Sequence, residues 1–171
     1  MSLSIGEATN LGFAQYLPTL FQSKVDRYRE IYVLNRHRVY SLAFLMTDNE
    51  LVAEELMIQT FSRAFGASHE PSDEDIDRAL VAELREYVDF KPLSLQCAPA
   101  ERILSVRRNT LRVDLERAVV QLPATEKMIF LMHDVERYDH ARIANLLGIS
   151  EDNSCQGLHQ ARLRVRELLA K

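Results

Sequence analysis

A run of amide and basic side chains near the C-terminus is the part of this chain best suited to binding nucleic acid. The candidate DNA contacts are Asn153, Gln156, His159, Gln160, Arg162, Arg164 and Arg166. Side-chain amides can pair with the N6 and N7 atoms of adenine, so the asparagine and the two glutamines could read bases. The three arginines could hold phosphates, which position a protein on DNA without specifying sequence. A solvated polar face and ordinary surface charge are the alternatives.

The spacing around these residues predicts two helices joined by a tight turn, over residues 139–166. Gly148 supplies the permissive backbone that ends the first helix, and Ser150 is placed to cap the second. The apolar positions of the second helix are Leu158, Ala161, Val165 and Leu168. Their spacing of three and four residues leaves the amides and His159 on the outward side. This is the helix-turn-helix pattern, although any short two-helix hairpin gives the same spacing.

Length and composition limit the chain to one ordinary domain or two small ones. Its 171 residues are 47% hydrophobic and 27% charged, with five glycines and five prolines, which indicates a globular, helical protein. No apolar run approaches the roughly 18 residues of a membrane span, and the N-terminus lacks the pattern of a signal peptide. Cys97 and Cys155 are too few for a disulfide framework. We therefore expect a cytoplasmic protein without a membrane span.

Hydrophobic periodicity predicts an all-α fold made of two small helical bundles, the C-terminal one containing the helix-turn-helix. A short first helix lies before residue 21, and the other expected helices are 21–46, 48–66, 73–89, 100–122 and 124–136. Thr47 with Glu50, and Ser72 with Asp75, have the spacing of capping boxes.

The predicted domain boundary falls in a proline-containing stretch without a clear period, at residues 90–99. We predict a first domain at 1–90, a linker with the start of a connecting helix at 91–111, and a second domain at 112–171. The charge is unevenly divided between these parts. The net charge is −4, and residues 68–92 alone carry eight carboxylates against three basic side chains. The acidity is therefore a local property of the helix predicted at 73–89.

No catalytic arrangement is visible in the sequence. Cys155 and His159 lie four residues apart, a spacing that suits a metal pair or an activated thiol, but no third or fourth ligand lies nearby. No Ser-His-Asp order and no glycine-rich phosphate loop is present. We therefore predict a protein that is not an enzyme and has no cofactor or metal.

Residues 121–169 resemble region 4 of the extracytoplasmic-function (ECF) sigma factors, in the sigma-70 family. The matching motifs are Leu122-Pro123, Ile143-Ala144, Leu147-Gly148-Ile149-Ser150 and Leu158-His159-Gln160-Ala161-Arg162. The upstream half resembles region 2 of the same family, through residues 38–43, 53–57 and 61–65.

The resemblance implies a protein that binds core RNA polymerase and directs it to promoters for transcription initiation. It implies that the helix at 48–66 docks on the polymerase clamp, with Glu54, Glu55, Met57 and Ile58 as the expected contacts. It also implies that the second helix of the helix-turn-helix reads the −35 element. Core RNA polymerase and promoter DNA are the implied partners, and an anti-sigma factor is left open as a third.

Departures from the family pattern support a second hypothesis. Ile58 stands where the family carries a glutamine, and Arg137 stands where it carries a glycine before the helix-turn-helix. The recognition helix has Ser154-Cys155-Gln156-Gly157 in a stretch that is more basic in the family. The −10-reading segment of the family is basic and aromatic, because it holds single-stranded DNA, whereas residues 73–89 are acidic. The alternative is a sigma-like regulatory protein that binds a regulator or polymerase without sequence-specific promoter recognition.

Overall fold

The computed structural model of the chain describes residues 13–94 and 111–170, with side chains from Ser23 onward. All regular structure in these ranges is helical, which confirms the predicted all-α fold. The helices are α1 (Phe13–Thr47), α2 (Glu50–Ala67), α3 (Asp73–Tyr87), α4 (Arg112–Val120), α5 (Ala124–Phe130), α6 (His140–Leu147) and α7 (Glu151–Leu169). A π-helical turn, Leu131–Val135, extends α5. Among the helices described, none is long and apolar enough to cross a bilayer.

Helices α1, α2 and α3 pack together as the N-terminal half. Its fully buried side chains include Val39, Leu42, Leu56, Ile76, Leu80 and Leu84. Burial of each such side chain stabilises the fold by roughly 1.5–3 kcal/mol. Phe61 adds an aromatic contact between α1 and α2, because its ring meets that of Tyr32 edge-on with the centroids 4.9 Å apart.

The start of α1 and the start of α2 both differ from the prediction. Helix α1 begins at Phe13 and continues through Pro18, so part of the predicted first helix belongs to α1. A proline removes one backbone hydrogen bond, a loss that is best tolerated near a helix N-terminus. At α2 the cap is Asn49, whose side chain accepts hydrogen bonds from two backbone N–H groups of the first turn. Thr47 is not the cap, because its hydroxyl donates to the Ala43 carbonyl at 2.8 Å.

Other predicted helix ends are confirmed. Ser72 and Asp75 form the predicted reciprocal capping box of α3, and Pro123 separates α4 from α5. Gly148 ends α6 with a φ of 71°, in the left-handed region that glycine adopts without strain. Ser150 is the N-cap of α7, because its Oγ accepts from a backbone N–H of the first turn. Most of the predicted linker and the first part of the helix predicted at 100–122 lie outside the described residues.

The C-terminal half is built around α7, which contacts α4, α5 and α6. Its buried side chains include Met128, Ile129, Met132, Ile143, Leu158, Ala161 and Val165. The two halves touch: α1 contacts α4 and α5, and α3 contacts α6. A groove of about 630 Å³ lies between α1 and α4, while one cluster of buried apolar residues extends through both halves. The division into domains at 1–90 and 112–171 stays a prediction.

Candidate nucleic-acid interface

The polar face of α7 lies largely where the sequence predicts it. Asn153, Gln156 and His159 are exposed, whereas Gln160 is half-buried. The opposite side of the helix is buried through Leu158, Ala161 and Val165. An outward amide face on the second helix of a helix-turn-helix is the arrangement that reads base edges in the major groove.

Arg162 is paired with a carboxylate from outside α7. Its Nε and Nη2 donate to the two carboxylate oxygens of Asp134, at 2.9 and 2.5 Å. This hydrogen bonding is the main reason that the pKa of Asp134 lies below its ordinary value, and it raises the pKa of Arg162. A phosphate would therefore have to compete with Asp134 for this guanidinium.

The other two arginines of α7 differ from each other. Arg164 Nε lies 2.8 Å from Oε2 of Glu126, an ion pair without hydrogen-bond geometry. Glu126 is only 3% exposed, and burial raises its pKa, an effect that the charge of Arg164 opposes. Arg166 is exposed and has no ion pair within the part of the chain that the structure describes. Of the three predicted phosphate contacts, Arg166 is therefore the one that could bind a phosphate without first leaving a carboxylate of the described residues.

Two histidines support the turn that precedes α6. The rings of His133 and His140 stack with their centroids 4.7 Å apart. His133 Nδ1 lies 2.9 Å from an oxygen of Asp134, and His140 Nδ1 lies 2.9 Å from Oγ of the buried Ser154. Burial, followed by the charge of His133, lowers the pKa of His140, so its neutral form is favoured. Among the described residues, no three His, Cys, Asp or Glu side chains converge as metal ligands.

Sequence reasoning missed Arg142, on α6. Its Nη2 donates to Asp77 at 2.6 Å, and its guanidinium carbon lies 3.9 Å from the centroid of the Tyr138 ring. Asp77, one of the eight carboxylates of residues 68–92, is not on the solvated surface of α3: it is fully buried and pairs also with Arg38. The sequence does indicate that Asp77 is buried, because Asp77 precedes Leu80 by three residues and so lies on the same apolar stripe of the helix.

The backbone turn before α6 is strained. Arg137, at the position of the family glycine, has a φ of 65°. For a residue with a Cβ, this left-handed conformation costs roughly 1–2 kcal/mol. The turn therefore has a backbone geometry that suits glycine, although arginine occupies it.

The candidate polymerase contacts lie on the outer side of α2. Glu54, Glu55 and Ile58 are exposed, and Met57 is half-buried. Ile58 is 67% exposed, and Leu51, seven residues earlier on the same face, is 78% exposed. Two exposed apolar side chains flanked by carboxylates form a surface suited to contact with another protein.

Comparison with known proteins agrees with this architecture. Residues 112–165 match the family model for sigma-70, region 4. The fold is similar to that of the sigma factor RpoE from Bartonella quintana, in its co-crystal structure with the anti-sigma factor NepR. The TM-score is 0.63 at 16% sequence identity, covering 83% of this chain and 96% of RpoE. No curated protein sequence matches this chain significantly.

Proposed function

We propose that this chain acts as an ECF-type sigma factor that directs core RNA polymerase to promoters, since its residues 112–165 match the family model for sigma-70, region 4. The observation that carries the proposal is the outward amide face of α7, which begins at a capped turn in a helix-turn-helix. Gln156 and Asn153 are the proposed base contacts, and Gln160 borders them. Arg166 is the proposed phosphate contact.

The −35 element is the proposed target of α7, and α3 has no assigned part in reading the −10 element. Helix α3 corresponds to the −10-reading part of region 2 in the resemblance, yet its first turn carries Asp73, Glu74 and Asp75. Such a surface repels single-stranded DNA instead of stacking and neutralising it. Promoter selection therefore depends mainly on the C-terminal half.

Helix α2 is the proposed polymerase-docking surface, through Leu51, Glu54, Glu55 and Ile58. An anti-sigma factor is a further proposed partner, suggested by the NepR complex of RpoE. Since core polymerase and promoter DNA are found in the cytoplasm, that is the proposed place of action.

The decisive experiment combines the purified protein with core polymerase and a pool of promoters. Gln156→Ala should relax preference at one promoter position and weaken binding there by about 1–3 kcal/mol. Gln121→Ala, which removes an exposed glutamine from the end of α4, is the matched control. If the wild-type complex assembles but initiates from no promoter in the pool, the sigma-like regulatory protein is the better account.

Docking of α2 is tested by reversing its charges. The double variant Glu54→Lys, Glu55→Lys should weaken binding to core polymerase while changing stability by no more than about 0.5 kcal/mol, because both side chains are exposed. Glu30→Lys, on the exposed surface of α1, is the control. If the double variant binds core polymerase with unchanged affinity, α2 is an ordinary amphipathic helix and not the docking surface.

A further inference from the structure

The carboxylate of Asp77 lies in the interface between the two halves and has no access to solvent. The Asp77 side chain is 0% exposed. One of its oxygens pairs with Arg38 of α1, and the other accepts from Nη2 of Arg142 on α6 at 2.6 Å. A buried carboxylate is tolerated only when charge partners replace water. Asp77 therefore joins α1, α3 and α6, and it couples the two halves.

Two further contacts extend the same interface along α3. Arg85 Nη2 donates to the backbone carbonyl of Leu147, the last residue of α6, at 2.9 Å. Near the other end of α3, Asn145 Nδ2 donates weakly to Glu74 at 3.4 Å. The Arg38 guanidinium also donates to the Tyr138 hydroxyl at 2.6 Å, just before α6 begins. The acidic helix thus holds α6 at several points.

Under the proposed function, α6 is also an element that meets DNA. In a helix-turn-helix the first helix crosses the DNA backbone while the second enters the major groove. An arginine on that first helix can bind a phosphate, and guanidinium pairs with carboxylate and with phosphate by the same charge-assisted geometry. Arg142 meets this description, but its partner here is Asp77.

We propose that the acidic helix α3 acts as an intramolecular substitute for DNA phosphate: it binds α6, holds the two halves closed, and masks Arg142 as a phosphate contact. The halves must separate at this interface before α6 and α7 can dock on a promoter. Apparent DNA affinity is then reduced by the fraction of molecules that are closed. This regulation rests on the proposed function of the C-terminal half in DNA binding. It also gives a role to the acidity of residues 68–92.

Arg85→Gln in the full chain is the primary test, because it removes an interface contact without leaving a buried charge unpaired. Arg78→Gln is the matched control, since Arg78 lies on the same helix and pairs with Glu74 and Asp75 of that helix. Spin labels at Cys155 and at Ser62→Cys, with Cys97→Ser, report the distance between α7 and α2. Anisotropy of a labelled mixed-sequence duplex reports DNA affinity.

Arg85→Gln should populate longer label distances and raise DNA affinity by roughly threefold to tenfold, the equivalent of one hydrogen bond. Arg78→Gln should change neither quantity. Arg142→Gln should also lengthen the label distances, but it should raise DNA affinity less than Arg85→Gln does, because the unmasked phosphate contact is gone. For the same reason, adding Arg142→Gln to Arg85→Gln should lower the gain in affinity.

Two results would overturn the proposal. Unchanged distances in both Arg85→Gln and Arg142→Gln would show that α3 does not hold the halves together. Longer distances without any gain in DNA affinity for Arg85→Gln would show that the interface masks no DNA contact. A failure of the proposed function looks different: the distances and mixed-sequence affinity respond as expected, but the polymerase complex initiates at no promoter.

Discussion

Asp134 accepts two hydrogen bonds from Arg162, at 2.9 and 2.5 Å, so an arginine of α7 is paired to the π-helical turn that follows α5. Arg166 lies one turn further along α7 and has no ion pair among the residues that the structure describes. Arg162 and Arg166 look equivalent in the sequence, but of the two only Arg162 is paired with a carboxylate among the described residues.

This inequality predicts different effects on DNA binding. Arg166→Ala should weaken binding to all sequences about equally and reduce the salt slope by about one unit. Arg162→Ala should have a smaller effect, because its guanidinium has to leave Asp134 to reach a phosphate. Binding of the polymerase complex to promoter DNA across a salt series measures both slopes. Equal losses for the two variants would contradict the assignment.

The Asp134–Arg162 pair also predicts a pH dependence of stability. The hydrogen bond from Arg162 holds the pKa of Asp134 below its ordinary value of 3.8. The stabilisation is therefore present above the unfolded-state pKa and is lost as the pH falls through the folded-state value. Asp134→Asn should lower the free energy of unfolding near neutral pH by about 1 kcal/mol or less, since Arg162 is nearly half exposed. Urea unfolding at neutral and strongly acid pH tests this, because the difference should disappear in acid.

Arg164 should act on stability and not on DNA binding. Its removal leaves Glu126 buried without a charge partner, which costs about 1–3 kcal/mol. Because burial raises the pKa of Glu126, stability is lost as the pH rises from the unfolded-state value to the folded-state value. Arg164→Ala should therefore lower the free energy of unfolding by less in weak acid, where Glu126 becomes protonated. Thermal unfolding at two pH values measures the deficit, and Arg164→Lys, which keeps the charge, is the control. A reduced salt slope for DNA binding with unchanged stability would reverse the assignment.

Local features of this fold were predictable, and long-range pairings were not. The caps at Ser72 and Ser150 and the helix end at Gly148 depend on residues within one turn, so sequence spacing specifies them. The pair of Asp77 and Arg142 joins positions 65 residues apart. Periodicity indicates the face on which a side chain lies, but it does not identify the partner that covers that face. For the same reason the pairing of Arg162 with Asp134 was invisible in the sequence.

Arg137→Gly should stabilise the protein. The φ of 65° at this position is strained for arginine and relaxed for glycine. Part of the gain is offset because glycine loses more conformational entropy on folding, which leaves an increase of about 0.5–1 kcal/mol in the free energy of unfolding. Asp48 also has a positive φ, of 52°, but aspartate tolerates this region better. Asp48→Gly should therefore gain less, and a loss of stability in Arg137→Gly would rule out strain at this turn.

Substitution by alanine should lower the free energy of unfolding at Gly157 and raise it at Gly66. A Cβ at Gly157 would lie 2.6 Å from Cδ1 of Ile129 and 3.1 Å from Cδ1 of Leu93, whereas nothing lies within 4 Å of a Cβ at Gly66. Alanine gains about 0.5–1 kcal/mol over glycine inside a helix, and Gly66→Ala, next to the end of α2, should show part of this gain. At Gly157 this gain competes with overpacking of about 1–3 kcal/mol, because Ile129 is fully buried.

We expect Gly157→Ala to lower the free energy of unfolding by about 1 kcal/mol, the balance of these two terms. Gly157 shares a helical face with Asn153 and Gln160, so a shift of α7 away from Ile129 also displaces the proposed base contacts. Promoter discrimination should therefore fall in Gly157→Ala and stay unchanged in Gly66→Ala. Urea unfolding and binding to the promoter pool measure the two effects. Equal stabilisation by both substitutions would show that α7 has room at Gly157 and that its packing does not set the position of the amide face.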